Sequence, residues 1–301
     1  MTTPVDQLVG RLWPGRTVRV ERLSGGMTNA NYLADFDDEQ VVVRIPGKDT
    51  ALLGIDRRHE AEANRLAASI GVAPQVLLES QLEGYLVTRF LPARAVPPAE
   101  LAAEPMLGEV AATLRLVHGA GTVAAHFNPF DVVAQYHEIA EGHGVTEPFD
   151  YAGARDVLGM IATVRPFRPA AFCHNDLLNE NFLYDERIRL LDWEYSGMGD
   201  PFFDLANFSI NHELSAHSDD LLLEHYFGHV DEGQRSLLAL MRLVSEMREA
   251  MWGVVQLAIS EIDMDFDAYC QRRAQRFATL LAEMDITDAL ARAGTVEGAR
   301  D

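Results

Sequence analysis

The chain has 301 residues, of which 48% are hydrophobic, enough for one large domain or two lobes with a real core and no need of staples. Its formal charge of -21, from 46 acidic against 25 basic residues, argues against broad binding to nucleic acid or anionic lipid, both of which need a cationic face. No apolar run approaches the roughly 18 residues of a membrane span, the start lacks the pattern of a secretory signal, and Cys173 and Cys270 support neither a disulfide framework nor a thiolate metal site, so the expectation is a cytoplasmic protein without membrane insertion.

The first ninety residues read as short strands around one helix. "RTVRVERL" and "NYLADF" alternate as strands do, and "EQVVVRIPG" is a β-branched run stopped by Pro46 and Gly47. "IDRRHEAEANRLAASIGVAP" is a helix with Asp56 near its start and Gly71 and Pro74 ending it; "QVLLES" and "GYLVTRF" follow as a hairpin across residues 81–84. After the proline-rich connector "LPARAVPP" the texture turns helical. "AELAAEPMLGEVAATLRLVHGAG" is one helix or two, and further helices fit residues 130–142, 150–163, 201–213, 218–227 and a long pair from about 233 to 286. Short strands interrupt them at "AAFC", "NFLYD" and "RIRLLDWEY". The pattern predicts an α+β, bilobal architecture: a small β-rich N-lobe over residues 1–91, a hinge near residues 88–92, and a larger, mainly helical C-lobe over residues 92–301.

The polar cluster behind Ala170-Ala171-Phe172-Cys173 is what a strand would avoid. His174, Asp176 and Asn181 form HxDxxxxN, and Asp192 follows at the end of the next hairpin. Phosphoryl transfer needs little covalent help from protein, but it needs an acceptor hydroxyl oriented in line and metal ions that offset phosphate charge. One carboxylate to accept the hydroxyl proton, with an amide oxygen and a second carboxylate to hold metal, meets that need. Turn capping is the bland alternative for the same residue types. "LSGGMTN", residues 23–29, lies between two strands, where Gly25 and Gly26 let backbone amides approach phosphates. Arg44 ends the strand that follows, and Glu60, preferred to Glu62, is its natural partner on the next helix.

These stretches, together with "LLDWEYSGMGDPFFDLANF" and "WGVVQLAIS", resemble the choline and ethanolamine kinase family, a branch of the aminoglycoside phosphotransferase group with the protein-kinase-like fold. The resemblance covers most of the chain. It implies an ATP- and magnesium-dependent small-molecule kinase with Asp176 as catalytic base, His174 bracing the catalytic loop, and Asn181 and Asp192 as magnesium ligands. Gly25, Gly26, Thr28, Asn29, Arg44, Glu60, Thr88 and Phe90 would then contact the nucleotide, adenine lying against hinge backbone. Asp204, early in a helix, would cap it and brace the catalytic loop.

The acceptor is expected beside Glu194, Tyr195, Trp252 and Tyr269, since a quaternary ammonium is recognised by aromatic faces and nearby carboxylates. Choline comes first and ethanolamine second. The chain departs from the eukaryotic pattern at Asn211, in place of Glu, and at Glu249, in place of a second Trp. The acidic run Glu261, Asp263, Asp265 and Asp267 would attract a cation or merely line an exposed connection. Thiamine and aminoglycosides remain open as acceptors, as does a nucleotide-binding pseudokinase without turnover, and either a monomer or a homodimer. Other constellations fail: Gly228 ends a helix between His225 and His229, His137 and His143 read as an exposed helix end, and Cys173 reads as a buried small side chain.

Overall fold

The computed structural model describes residues 4–23, 29–48 and 50–296; Gly25, Gly26 and Thr28 of the glycine loop lie outside the described residues. A helix that the strand-rich pattern did not lead one to expect opens the chain, α1 (Pro4–Leu12). Its Val5, Leu8 and Val9 fall at helical spacing, but nine residues broken by Gly10 offer too short a period to stand out in the sequence. The strands β1 (Arg19–Arg22), β2 (Asn29–Asp35) and β3 (Gln40–Pro46) follow, then a 3₁₀ turn at Thr50–Leu53 and α2 (Arg57–Ser69). With β4 (Val76–Glu79) and β5 (Leu86–Arg89) the strands form one antiparallel sheet in the order β1-β2-β3-β5-β4.

Strand alternation decides what β3 delivers. Val41 and Val43 join α1, Ala34, Phe36 and Val87 in a small core on one face, so Arg44 must project from the other. That face meets α2, which starts where it does because Asp56 accepts hydrogen bonds from the backbone N–H of Arg58 (2.8 Å) and His59 (3.4 Å). Glu60 then falls in the first turn of α2, inward and almost fully buried.

The remainder is mainly helical. β6 (Arg94–Ala95) leads into α3 (Pro98–Leu101) and α4 (Glu104–His118), so the long predicted helix is two, interrupted before Pro105; α5 (Pro129–Gly142) and α6 (Tyr151–Val164) follow. Next come β7 (Ala171–Cys173), β8 (Phe182–Tyr184), β9 (Ile188–Leu190) and β10 (Gly197–Gly199). β10, a glycine-rich stretch with no β-branched residue, gave no strand signal; it pairs antiparallel with β7, Gly197 opposite Cys173. The helices α7 (Pro201–Asn211), α8 (Ala216–Phe227), α9 (Glu232–Ile259), α10 (Phe266–Ala282) and α11 (Ile286–Ala293) complete the chain. α9 is the mast of this part, buried over most of its 28 residues and packed by α5, α7, α10 and α11. Gly228 ends α8 in the left-handed region at φ 80°, which separates His225 from His229 as expected. Among the described residues no helix is long and apolar enough to cross a membrane.

His212, just past α7, stacks on Phe208 at 4.2 Å and meets the edge of Phe182 at 5.4 Å. Its Nδ1–H donates to the Phe208 carbonyl (2.9 Å), while Nε2 is buried without a partner. Burial therefore holds the imidazole down to about 4, against 6.5 when free. A depressed histidine binds its proton in the unfolded chain first, so the stability it allows is whole above pH 6.5 and is lost as pH falls toward 4. Urea unfolding at pH 7.5 and 4.5 should show His212→Phe narrowing the difference in unfolding free energy by about 2 to 3 kcal/mol relative to the parent.

Candidate active site

The loop between β7 and β8 carries His174, Asp176 and Asn181, and it is held by side chains rather than by a ladder. Asp204, on α7, accepts from the backbone N–H of His174 (2.8 Å) and Asn175 (2.7 Å), and its Oδ2 lies 3.0 Å from His118 Nε2. One turn on, Asn207 Oδ1 accepts from the Leu177 N–H at 2.6 Å. Helical spacing places both on one face of α7. The cap of that helix is Asp200, not Asp204, so Asp204 has the bracing role without the capping one. Asn175 sits at φ 66°, a conformation its short amide tolerates, and its Nδ2 donates to the Tyr195 carbonyl at 3.0 Å, tying this loop to the one after β9.

His174 is fully buried and cannot reach a substrate. Its Nε2–H donates to the Leu191 carbonyl (2.9 Å), its Nδ1 accepts from the Asp176 N–H (3.3 Å), and its ring meets Trp193 edge-on. Burial pushes its pKa down, so it stays the neutral imidazole this pattern requires. Asn181 donates its Nδ2–H to the Asp176 carbonyl (2.8 Å), which fixes the amide so that its oxygen is the atom a cation could take. Asp192, at φ 61°, keeps a buried carboxylate oxygen with no hydrogen-bond partner. An amide oxygen and an orphaned carboxylate oxygen are hard donors of the kind magnesium takes, so the residues fit that ion.

Across the cleft, Arg44 is ion-paired with Glu60 and lies 3.6 Å from Asp192 Oδ1. Glu62 instead accepts from the Ala124 N–H at 3.1 Å, which decides between the two glutamates. Arg57, absent from the expected set, joins this group: its Nη1 donates to Glu60 (2.8 Å) and Glu194 (3.1 Å), its Nη2 to Asn29 (3.0 Å). Asn29 in turn donates to Glu194 (2.9 Å). Carboxylate oxygens of Glu60, Asp192 and Glu194 all fall within 4.8 Å of one another. Glu194 thus has its hydrogen bonds among the charged groups beside Asp192, while its charge also reaches Tyr195 and Asp176. An Arg three residues before a buried Glu in a helix was the available signal for Arg57. At the rim, exposed Lys48 pairs with Glu261 at 2.7 Å.

At the hinge, Thr88 is buried in β5, paired with Val42 and Val76. The Phe90 N–H donates to the Gln40 carbonyl (3.1 Å), so Phe90 can offer adenine only its carbonyl.

Tyr195, Trp252 and Tyr269 do come together. Trp252 Nε1–H donates to Tyr195 Oη (3.2 Å), and the Trp252 and Tyr269 rings meet edge-to-face at 5.7 Å. Gly253 allows it, since a Cβ there would come within 2.8 Å of Tyr269 Cδ1. The cluster also contains what the sequence did not announce. Arg248 Nη1 donates to Asp176 Oδ1 (3.2 Å) and to Glu249, while Tyr269 Oη donates to Glu249 (2.6 Å). The Arg248 guanidinium lies 4.4 Å from the centre of the Tyr195 ring. A charged pair inside the apolar helix α9 was the visible signal for them. Burial pushes the Asp176 carboxyl up to about 8, aided by Glu249, Asp192 and Glu194 and opposed by Arg248.

Three other positions resolve as follows. Asn211 bonds Asn207 (3.3 Å) and Arg273 (2.8 Å), closing a polar layer behind the loop. The run from Glu261 to Asp267 is employed locally: Glu261 holds Lys48, Asp265 caps α10 through Ala268 N–H, and Asp267 accepts from Gln271. His137 is half-buried, stacked on Tyr151 and bonded to Glu147. Cys173 is fully buried and burial raises its thiol pKa, as a packing residue requires.

Removing the Asp204 carboxylate leaves two buried N–H groups unpaired, so Asp204→Ala should cost about 3 kcal/mol in denaturant unfolding, and Asp204→Asn less, because its amide keeps one acceptor.

The phosphotransferase enzyme family model matches residues 19–240. The LicA protein of Haemophilus influenzae is 28% identical over 86% of this chain and 79% of its own, and human ethanolamine kinase 2 is 26% identical over 88% and 76%. Among solved structures, a choline/ethanolamine kinase family protein from Mesorhizobium loti superposes with a TM-score of 0.83 at 31% identity, covering 98% of this chain and 100% of its own. The choline kinase LicA from Streptococcus pneumoniae gives 0.79 at 26%, covering 93% and 98%. The fold is accordingly the bilobal, protein-kinase-like one, and the chain belongs to the phosphotransferase enzyme family, as a small-molecule kinase of the choline/ethanolamine kinase group.

Proposed function

We propose that the chain transfers the γ-phosphoryl group of ATP, with magnesium, to the hydroxyl of a small cationic alcohol. In this reading residues 1–91 hold the nucleotide and residues 92–301 supply the catalytic loop and the acceptor site. The observation that carries it is the side-by-side placement of Asp176, Asn181 and Asp192, with Arg44 and Glu60 facing Asp192 and the Tyr195, Trp252 and Tyr269 cluster joined to Asp176 through Arg248. That a LicA structure holds AMP supports nucleotide use. Choline leads and ethanolamine follows as acceptor, on the names of the relatives and on the aromatic cluster. Two unbridged cysteines suit a reducing, cytoplasmic setting.

In this mechanism the acceptor oxygen attacks the γ-phosphorus, the bridging P–O bond to the β-phosphate breaks, ADP leaves, and the hydroxyl proton passes to Asp176. The raised proton affinity of Asp176 suits a base that takes the proton as the new bond forms. Arg44, held straight by Glu60, contacts phosphate oxygens. Asn181 and Asp192 would hold magnesium, which offsets charge on the phosphates.

Asp176→Asn should lower kcat by about a hundredfold or more while leaving nucleotide affinity nearly intact, since the carboxylate serves the acceptor. Asp192→Ala should weaken nucleotide binding only when magnesium is present, measured by calorimetry with and without the ion. An ATP-consumption screen across choline, ethanolamine, thiamine, aminoglycosides and neutral sugars decides the acceptor. Zero turnover in parent and Asp176→Asn alike, with every acceptor, would favour a nucleotide-binding pseudokinase.

A further inference from the structure

The acceptor cluster holds a cation of the chain's own. Arg248 is 1% exposed, its Nη1 is spent on Asp176 and Glu249, and its guanidinium covers the Tyr195 face at 4.4 Å. An aromatic face flanked by two carboxylates is the setting that would receive a substrate ammonium, and here it is filled. Arg248 Nε and Nη2 are buried and have no hydrogen-bond partner. Buried guanidinium donors without acceptors are costly, each leaving a charged group's hydrogen bond unmade. Those donors belong to the same guanidinium whose Nη1 is bonded to Asp176, so a ligand whose hydroxyl is held at Asp176 lies within one guanidinium's breadth of them. A trimethylammonium group brings no acceptor atom to them and adds like charge. A carboxylate brings two oxygens in the spacing a guanidinium fork matches.

We infer that Arg248 is a specificity-determining residue that turns the acceptor site toward a zwitterionic amino alcohol, one carrying a carboxylate as well as an amine and the reacting hydroxyl. The inference rests on the kinase reading above and narrows its acceptor. The transfer itself is unchanged, with the hydroxyl proton going to Asp176 and ADP leaving. The carboxylate is a handle, not a reactant.

Serine is ethanolamine with one carboxylate added, and choline is ethanolamine with three methyl groups added, so the three isolate each feature; homoserine extends the reach by one methylene. With ATP and magnesium, kcat/KM for serine or homoserine should exceed that for ethanolamine and for choline by at least about tenfold, the worth of one charge-assisted hydrogen bond. Arg248→Lys keeps a cation but lacks the second and third donors of the fork, and should lower the ratio of the amino acid to ethanolamine by about tenfold or more. Arg248→Met should lower it further and improve choline relative to ethanolamine; because it strands Asp176 and Glu249, the Lys variant decides if the Met variant does not fold. A parent that prefers choline or ethanolamine, with a ratio unmoved in Arg248→Lys, overturns the inference and leaves the kinase reading standing. If no acceptor is phosphorylated, the kinase reading falls, and calorimetric affinities of serine and ethanolamine for the parent and Arg248→Lys still decide whether Arg248 reads a carboxylate.

Discussion

One buried carboxylate fixes the geometry of the whole catalytic loop. Residues 174–181 must leave the sheet in order to present Asp176 and Asn181, and leaving a sheet strands backbone donors in the interior. Asp204 takes up two of these and Asn207 a third, from one face of α7. The loop is thereby set by a helix that packs on α9, so the site inherits its position from the best-buried element of the fold. Of the non-glycine residues at positive φ, Asn175 and Asp192 belong to this site and are of the types that tolerate it.

Around that loop the charges are arranged in linked pairs. Arg44, Glu60, Arg57 and Glu194 run as an alternating chain from β3 through α2 to the loop after β9, and Arg248 links Asp176 to Glu249 on the other side. Buried ions survive only in such company, because the cost of taking each out of water must be met by its neighbours. The site keeps an excess of carboxylates over arginines, and burial among like charges raises the proton affinity of Asp176. Arg44, Arg57 and Arg248 stand against Glu60, Asp176, Asp192, Glu194 and Glu249, and among the atoms left without a hydrogen bond are one oxygen of Asp192 and two donors of Arg248.

Much of this was legible in the residues and some was not, for physical reasons. HxDxxxxN with its following Asp192 is local in sequence, so its geometry could be read without knowing the packing. The Arg44 and Glu60 pair was readable because strand alternation and a helix start each constrain one partner. Arg57 and Arg248 escaped notice because a charged residue on a helix is ordinarily solvated, and only the packing of α2 and α9 shows that these are not. The bonds of Glu194 to Arg57 and Asn29 were hidden for a related reason: its partners are 137 and 165 residues away in sequence. α1 and β10 were lost to shortness and to glycine.

Two contacts of very different character join the N-terminal sheet region to the helical part on the two sides of the cleft. Lys48 and Glu261 meet in the open, where dissolved ions compete freely, whereas Arg57 and Glu194 meet largely out of water. The outer contact therefore behaves as a clasp that ionic strength loosens, and the inner one as a rivet that ionic strength hardly touches. Loosening the rim would leave Arg57 on Glu194 and the Tyr136 hydroxyl on the Leu53 carbonyl in place, so the medium tunes the edge of the cleft while the alignment beside Asp192 is preserved.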